Sequence, residues 1–477
     1  MLPPFYFIRS EAFSMSAALI PPKLDTKKKI FWLITLVIPA IILFIPVTET
    51  FTQPIKMFLA LTICAILMFA FELLDNFVPA VLLPIGYTLC GVVPSAVAFA
   101  PWTSSIPWMM IGSLVLINCV ERVGLLKRAA YFVIIKTGGS YQGVIYGFML
   151  AGIIINIILP GALTIPLIAL SYGICVALEL GRSKTSAGIM IGAAIAAMLP
   201  AYISYNPIGI GIIMGLANGA FGIELSWLQN FLHNLIFLPW CLLMAFVTTK
   251  LFKPDIPFQG KAYFEQEYAA LGKTTLAEKK AAVLVILLAI FLVTDSLHHL
   301  DKNWGWIFAA VAVFFPGVNI GIKQDIEKLN FSLVVFVASC LTIGTVSGAI
   351  GIGQIISAFV MPYMQSSGPI TLIAIVWIIA AGFNFLLTPL AEIAALTVPM
   401  LQITLDMGIS PYPVLYAFQQ GLDQIIFPYE YFNYLFLFSF GLIASKDFMK
   451  FFAVKMGLNF LFVLAIAVPY WMLIGLL

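Results

Sequence analysis

The sequence predicts an all-α polytopic membrane protein of about 11 transmembrane helices with two re-entrant hairpins. Of the 477 residues, 62% are hydrophobic and only 9% are charged, whereas soluble proteins carry roughly 25% charged residues. Nearly uncharged apolar stretches of 18 or more residues recur from Ile30 onward. Each is long enough to cross a hydrocarbon core of roughly 30 Å. Transmembrane barrels instead alternate in polarity over strands of about ten residues, and that pattern is absent.

The charge and cysteine content argue against several other classes of protein. The net charge is only +3, and the basic residues are scattered in short loops. Because they form no basic cluster, no nucleic-acid partner is predicted. The six cysteines lie in apolar stretches without a CxxC pair, which predicts neither a disulfide framework nor a zinc site. Residues 1–29 lack the pattern of a signal peptide and are interpreted as a cytoplasmic tail.

The first crossings follow directly from the apolar runs. A first transmembrane helix occupies residues 30–54, with its apolar part at 30–48. The next crossings are predicted near 55–74, 77–99 and 105–120. They return the chain to the side on which it began.

Basic residues set the orientation of the remaining chain. The apolar segments 141–180 and 369–409 are each about 40 residues long, and we expect both to enter and leave on the same side as re-entrant hairpins. All 24 basic residues except Lys56 and Lys302 then lie on one side, which the positive-inside rule makes cytoplasmic. The C-terminus is consequently external, in what we interpret as a bacterial inner membrane. The other predicted crossings are 185–220, 225–249, 281–298, 303–316, 331–350, 411–442 and 456–476; an external stretch covers 351–368, and an inside loop holds Lys446, Lys450 and Lys455.

The two hairpins divide the chain into an inverted repeat. The first repeat covers 55–251 and the second 281–477, with a cytoplasmic loop at 252–280 between them. In each repeat the hairpin is followed by a crossing (185–220 and 411–442) that is interrupted near its middle, at Ser204-Tyr205-Asn206-Pro207 and at Phe427-Pro428-Tyr429-Glu430. Proline frees backbone groups that lipid tolerates only where they are buried or line a cavity. This is the architecture of secondary transporters, whose sites lie where broken helices meet.

Two segments carry a resemblance to a known family. The run Phe71–Pro79, followed by Leu82-Leu83-Pro84, and the segment from Trp108 to Arg128 resemble the divalent anion/sodium symporter family (sodium:dicarboxylate/sulfate symporters) of the ion transporter superfamily. The similarity spans about 45–477. It implies an elevator transporter, with a dimerising scaffold and a transport domain of hairpins and broken helices, and hence a homodimer. It also implies sodium as a coupling ion.

The motifs of that family are reduced here. Its Ser-Asn-Thr motif is absent from both hairpin tips, which read Asn156–Thr164 and Asn384–Glu392. Its Thr-Pro-Pro-Asn signature is reduced to Asn206-Pro207 and Pro428-Tyr429. A sodium gradient and a proton gradient therefore both stay open as the source of coupling.

The candidate site residues lie at the tips and breaks. The carboxylates Glu392, Asp423 and Glu430 are costly within a membrane. Each can be interpreted as a cation ligand, a proton carrier or a counter-charge, or alternatively as a carboxylate bonded to nearby backbone. Asp423 and Glu430 are seven residues apart, so a continuous helix would place both on one face. The full set of candidate substrate- or ion-binding residues is Asn156, Pro160, Gly161, Thr164, Asn206, Pro207, Asn384, Thr388, Pro389, Glu392, Asp423, Pro428 and Glu430.

The leading functional hypothesis is a secondary active transporter of a small anion, either dicarboxylate-like or inorganic. A cation/proton antiporter on the same superfamily fold is the alternative, since it would explain buried acids and missing tip motifs. A membrane-embedded enzyme is disfavoured because no HExxH or other nucleophile–base or metal set occurs. No catalytic residue, metal site or cofactor is predicted; the partners are the substrate, the bilayer and a second copy of the chain.

Overall fold

The computed structural model describes residues 26–49, 51–71, 73–256, 258, 260–298, 300–351, 368–384 and 388–477, and within these ranges the regular structure is helical. The predicted cytoplasmic tail, the external stretch 351–368 and the tip of the second hairpin lie wholly or partly outside the described residues. The α-helices are α1 (Thr26–Phe44), α2 (Gln53–Ala70), α3 (Phe77–Leu89), α4 (Ser95–Ala98), α5 (Ser105–Arg122), α6 (Leu125–Lys136), α7 (Tyr141–Ile158), α8 (Thr164–Ala177), α9 (Lys184–Met198), α10 (Ile210–Phe221), α11 (Trp227–Asn234), α12 (Phe237–Leu251), α13 (Lys261–Ala270), α14 (Leu276–Val293), α15 (Asp295–His298), α16 (Asn303–Ala312), α17 (Lys323–Glu327), α18 (Phe331–Ile350), α19 (Pro369–Phe383), α20 (Pro389–Asp406), α21 (Pro411–Leu422), α22 (Phe432–Ser439), α23 (Ser445–Phe462) and α24 (Val468–Leu473).

Several helices are long and apolar enough to cross a membrane. By length and composition alone, four such helices occur in the described ranges: Tyr141–Ile158, Lys184–Tyr202, Phe331–Ile350 and Ser445–Leu473. Two bent pairs, α5 with α6 and α11 with α12, raise the number to six if each pair is one span. Further apolar helices of 10–17 residues are present. The total of about 11 spans and the re-entry of both hairpins remain predictions.

The bend between α5 and α6 is set by a glycine. The two helix axes differ by 63°, and Gly124 between them has a φ of 88°, a left-handed conformation that side chains disfavour. Past the bend, α6 carries Lys127, Arg128 and Lys136 on an otherwise apolar helix. The chain therefore leaves α5 as an amphipathic arm.

The two halves share one order of elements. In the first, α7 and α8 are joined by the turn 159–163, and α9 is separated from α10 by a 3-10 turn at Leu199–Tyr202 and irregular backbone. In the second, α19 and α20 are the two helices of the predicted hairpin, and α21 is separated from α22 by a break holding a 3-10 turn at Pro428–Glu430. The inverted orientation of the halves is not established by this order and remains a prediction.

In each half, a glycine allows the first helix of the hairpin to pack against the broken helix. A Cβ on Gly152 of α7 would collide with the carbonyl oxygen of Ala196 in α9. A Cβ on Gly421 of α21 would lie 2.8 Å from the carbonyl oxygen of Trp377 in α19. Small residues allow this close approach of helices in membrane proteins. Hairpin and broken helix are consequently packed backbone to backbone in both halves.

The centre of the fold is α9. Its residues from Thr185 to Met198 are all buried, as expected for a helix that is apolar on every side. Its first turn is fixed by a capping box between Ser183 and Ser186 and by Asp255, which accepts the backbone N–H of Thr185 at 3.1 Å. The broken end of α9 therefore lies deep inside the protein.

Two ion pairs fasten α5 and α6 to the second half. Arg122, the last residue of α5, bonds Asp325 of α17 with an Nε–Oδ1 distance of 2.8 Å. Arg128 of α6 bonds Glu278 of α14 with an Nε–Oε1 distance of 2.7 Å. Both arginines engage both oxygens of their carboxylate, the geometry that gives such pairs their strength. These helices thus form one connected framework.

Candidate functional site

A small cavity lies where the two helix breaks meet. Its volume is about 60 Å³, which leaves room for on the order of four water molecules. It is bounded by the break after α9, by the first turns of α10 and α20, and by the end of α21. The lining residues are Tyr202, Asn206, Ile208, Gly209, Ile213, Pro389, Leu390, Ile393, Gln419, Leu422, Asp423, Ile425 and Tyr431.

Asn156 joins the first hairpin tip to the first break. Its amide nitrogen donates to the carbonyl of Ala197 near the end of α9 at 3.2 Å, and its amide oxygen accepts the backbone N–H of Gly161 at 2.8 Å. The hydroxyl of Ser204 donates to the carbonyl of Asn156 at 2.6 Å. Asn156 is fully buried, and these bonds employ both ends of its amide. Asn156 therefore has a structural role behind the cavity, where it connects the first hairpin tip to the end of α9.

Asn384 has the same position in the second half. Its amide nitrogen donates to the carbonyls of Gly421, Leu422 and Gln424 at 3.1, 3.1 and 3.2 Å. These carbonyls lie at the open end of α21, where a helix leaves its last acceptors unpaired. Within the described residues, the amide oxygen of Asn384 has no hydrogen-bond partner. The paired asparagines therefore tie each hairpin to its own broken helix.

Gln419 is the cavity-lining side chain with an unused donor. Gln419 is 2% exposed, and its amide nitrogen has no hydrogen-bond partner among the described residues. That nitrogen would be 3.3 Å from a Cβ placed on Gly209, the residue just before α10. A buried donor left unpaired is costly, so we expect a bound group to accept from it.

Two helix N-termini also face the cavity. Gly209 precedes α10, while Pro389 and Leu390 begin α20, and all three line the space. Helix N-termini carry a partial positive charge and free N–H groups, which favour anions. The cavity therefore has two positive helix ends in addition to the free amide donor.

Asp423 lines the cavity as half of a buried ion pair. Its Oδ2 atom is 2.6 Å from the Nζ atom of Lys455 in α23, and the two side chains are 2% and 0% exposed. Nζ also donates to the backbone carbonyl of Asp423 at 2.5 Å. The prediction that Lys455 lies in an inside loop is wrong, because the last long helix begins at Ser445 and buries it.

The sequence did contain a signal for Lys455. Lys455 and Asn459 are one turn apart in an otherwise apolar run, so both lie on one face of α23. The amide nitrogen of Asn459 donates to Gln420 at 3.0 Å, and its amide oxygen accepts from Trp377 at 2.9 Å. This polar face is directed toward α19 and α21.

The other two candidate carboxylates differ in their surroundings. Glu392, in the first turn of α20, is 0% exposed, and neither of its carboxylate oxygens has a hydrogen-bond partner among the described residues. Glu430 instead accepts the backbone N–H groups of Ile426 and Phe427 at 3.1 and 3.0 Å. Glu430 thus stabilises the break itself. A helix end separates it from Asp423, so the two do not share a helix face.

The remaining candidates support this arrangement from outside the cavity lining. Thr388 caps α20 by accepting the backbone N–H of Ala391 at 3.4 Å, and Gly161 takes a φ of 83° in the first tip. Of the predicted residues, Asn206, Pro389 and Asp423 line the cavity. The following do not: Asn156, Pro160, Gly161, Thr164, Pro207, Asn384, Thr388, Glu392, Pro428 and Glu430. Gln419, Lys455 and Gly209 were missed.

Comparisons with known proteins assign the chain to a group and a fold. A family model described as the sodium:sulfate symporter transmembrane region matches residues 26–477. A curated relative from Cupriavidus necator, described as a membrane protein, is 22% identical over 327 residues, which cover 64% of this chain and 61% of that protein.

Two solved structures share the fold. The YdaH transporter of Alcanivorax borkumensis has a TM-score of 0.55 at 12% identity, covering 94% of this chain and 98% of that one. MtrF of Neisseria gonorrhoeae, described with a class of antimetabolite efflux pumps, has a TM-score of 0.54 at 14% identity, covering 93% and 94%. The fold is that of known transporters.

Proposed function

The chain belongs to the family of the sodium:sulfate symporter transmembrane region and is an integral membrane transporter, and we propose that it moves a small anion by secondary active transport. The substrate would be inorganic or dicarboxylate-like, and a sodium or proton gradient would drive it.

The charge balance of the cavity carries the proposal. Asp423 is the only carboxylate among the described residues that line the cavity, and Lys455 neutralises it at 2.6 Å. The positive ends of α10 and α20 and the free amide of Gln419 then leave a site that favours negative charge. This charge balance favours an anion over a cation in the cavity.

The hydrogen-bond pattern supports an elevator movement. Asn156 and Asn384 bind each hairpin to its broken helix, so hairpins and breaks can move as one transport body. The ion pairs of Arg122 and Arg128 bind α5 and α6 to α14 and α17, so these helices can stay in place as a scaffold. The proposal includes dimerisation through that scaffold, a bacterial inner membrane, a cytoplasmic N-terminus and an external C-terminus.

Two features bear on the coupling ion. Broken-helix carbonyls and amides are sodium ligands in such folds, and no cluster of three or more His, Cys, Asp or Glu occurs in the described ranges to hold another metal. Glu392, buried and without a hydrogen-bond partner among the described residues, is a suitable proton carrier, because an ionised carboxylate is disfavoured there. Glu392 also supports the second candidate function, a cation/proton antiporter.

Uptake into proteoliposomes tests the proposal. The purified protein would be given labelled sulfate and succinate while sodium and proton gradients are imposed separately. We expect one of these anions to accumulate under one gradient and to be lost when that gradient is collapsed. Proton release driven by external sodium or potassium, without uptake of either anion, would instead establish the antiporter.

Glu392→Gln separates the two coupling modes. If Glu392 carries the coupling proton, the variant should lose proton-driven uptake but keep anion exchange, because exchange needs no net proton movement. If sodium is the coupling ion, uptake driven by sodium should persist. Asp406→Asn, which changes an exposed residue at the end of the same helix α20, controls for the loss of a carboxylate. Loss of all modes together with lower thermal stability would assign Glu392 a structural role.

A further inference from the structure

Lys455 occupies an unusual position for a lysine. It is fully buried in α23, and its Nζ atom contacts two oxygens of one residue: it forms an ion pair with the carboxylate of Asp423 at 2.6 Å and donates a hydrogen bond to the carbonyl of Asp423 at 2.5 Å. Asp423 directly follows α21 at the second break. The ammonium therefore lies at the buried carbonyl end of a half-helix.

These oxygens are the kind that bind a coupling cation in broken-helix transporters. There, unwound backbone carbonyls and half-helix C-termini coordinate sodium near the midplane. Asn384 holds the neighbouring carbonyls of Gly421, Leu422 and Gln424 in place. A lysine ammonium is a compact single charge, so it can satisfy the same oxygens.

We propose that the Lys455 ammonium is a tethered cation, which stands in the second half where a free sodium ion would otherwise bind. The inference rests on the proposed anion transport and specifies its ion requirement. A tethered ammonium balances negative charge at the site without dissociating. It travels in both directions with the transport body, so this half adds no ion to the coupling stoichiometry.

The first half has no buried lysine among its described residues. There the carbonyl of Ala197, near the end of α9, accepts at 3.2 Å from the neutral amide of Asn156, the counterpart of Asn384. If a free coupling ion is required, we therefore expect it to bind in the first half. The two halves would then be unequal in their ion requirement although they share an order of elements.

Lys455→Ala tests the proposal without any knowledge of the substrate. Removing the side chain leaves Asp423 and its carbonyl free and creates room for a cation. We expect the melting temperature of this variant to rise by roughly 2–3 °C when choline chloride is replaced by sodium chloride at about 100 times the dissociation constant, and wild type to respond much less. Lys450→Ala, at an exposed position of the same helix, should behave as wild type.

Uptake provides the second measurement. Lys455→Ala should transport at least tenfold more slowly than wild type in low sodium and should regain activity as the sodium concentration rises. The Hill coefficient for the dependence of its uptake on sodium should be higher than that of wild type by about one. Equal sodium responses of wild type, Lys455→Ala and Lys450→Ala would overturn the proposal. Because the melting measurement needs no substrate, it stands even if no tested anion is transported.

A double variant decides the case in which Lys455→Ala does not fold in either salt. Lys455→Met with Asp423→Asn removes both charges and should keep the fold, since no unpaired ion is left. We expect a melting temperature close to wild type, a sodium response no larger than that of wild type and at least tenfold slower anion uptake. Wild-type uptake by the double variant would show that the pair serves structure alone and would overturn the tethered-cation role.

Discussion

Gln419→Glu is the most direct perturbation of the proposed anion site. The substitution keeps the size of the side chain but replaces the free amide donor beside Gly209 with a carboxylate. In a cavity of about 60 Å³, any bound group lies on the order of 4 Å from the lining atoms. Two like charges at that distance repel by about 4 kcal/mol at an effective dielectric constant of about 20.

The expected effect is large. The repulsion alone weakens anion binding about a thousandfold, and loss of a hydrogen bond to a charged group adds roughly 1.5–3 kcal/mol. Gln419→Leu removes the donor without adding charge and should weaken binding only about 10- to 150-fold. The two variants therefore separate the contribution of charge from that of the hydrogen bond.

Anion affinity would be measured by titrating the melting temperature and by the KM of uptake. Gln142→Glu on the exposed surface of α7 is the matched control and should leave both quantities unchanged. Wild-type anion affinity in Gln419→Glu would refute the assignment of the cavity as the anion site. Stronger cation binding in that variant, with no anion effect in any variant, would favour the antiporter.

Three further predictions address the fold. Gly152→Ala should reduce stability by about 1–3 kcal/mol because its Cβ meets backbone of α9, whereas Gly173→Ala in the same hairpin meets no atom within 4 Å and should not; thermal melts compare them. The Arg128 guanidinium bonded to Glu278 holds the pKa of that carboxyl below its ordinary value, so its contribution is present above about pH 4.3 and lost as the pH falls further. The melting temperature of Glu278→Gln should therefore be lower than that of wild type at pH 7 and should change less between pH 6 and pH 3. Melting temperatures measured over a pH series test this, and equal pH dependence in the two proteins would contradict it. A cysteine introduced beside Arg182 should react only with reagents that reach the cytoplasmic side, and external labelling would contradict the first re-entrant hairpin.

The sequence predicted the broad class correctly because its signals are strong and local. Composition and the length of apolar runs identify a polytopic helical membrane protein, and the family match confirms the resemblance drawn from the Phe71–Pro79 and Trp108–Arg128 segments. Irregular backbone separates α9 from α10 at Ser204–Pro207, where proline and polar residues interrupt the apolar run. Apolar run length and helix breaks of this kind are determined by residues that are close together in the sequence.

The composition of the cavity could not be derived in this way. Lys455 follows Lys446 and Lys450, so charge counting assigned it to a loop; only the packing of α23 against the end of α21 shows its partner. In the sequence, Gln419 cannot be distinguished from other polar residues of membrane helices. Its role depends on the cavity that it lines next to Gly209, which is distant in the chain. Glu430, singled out for its charge, bonds two backbone N–H groups of its own break. Pairings between distant segments determine these roles.

The location of the transported anion tests the central claim most directly. A cryo-electron microscopy map of the protein with the transported anion at saturating concentration should show density between Gly209, Leu390 and Gln419, within hydrogen-bonding distance of the Gln419 amide. A second cavity of about 420 Å³ lies between α6, α8 and α13, where Lys127 and Tyr263 are among its lining residues. Anion density there, with the small cavity at the breaks empty, would contradict the assignment.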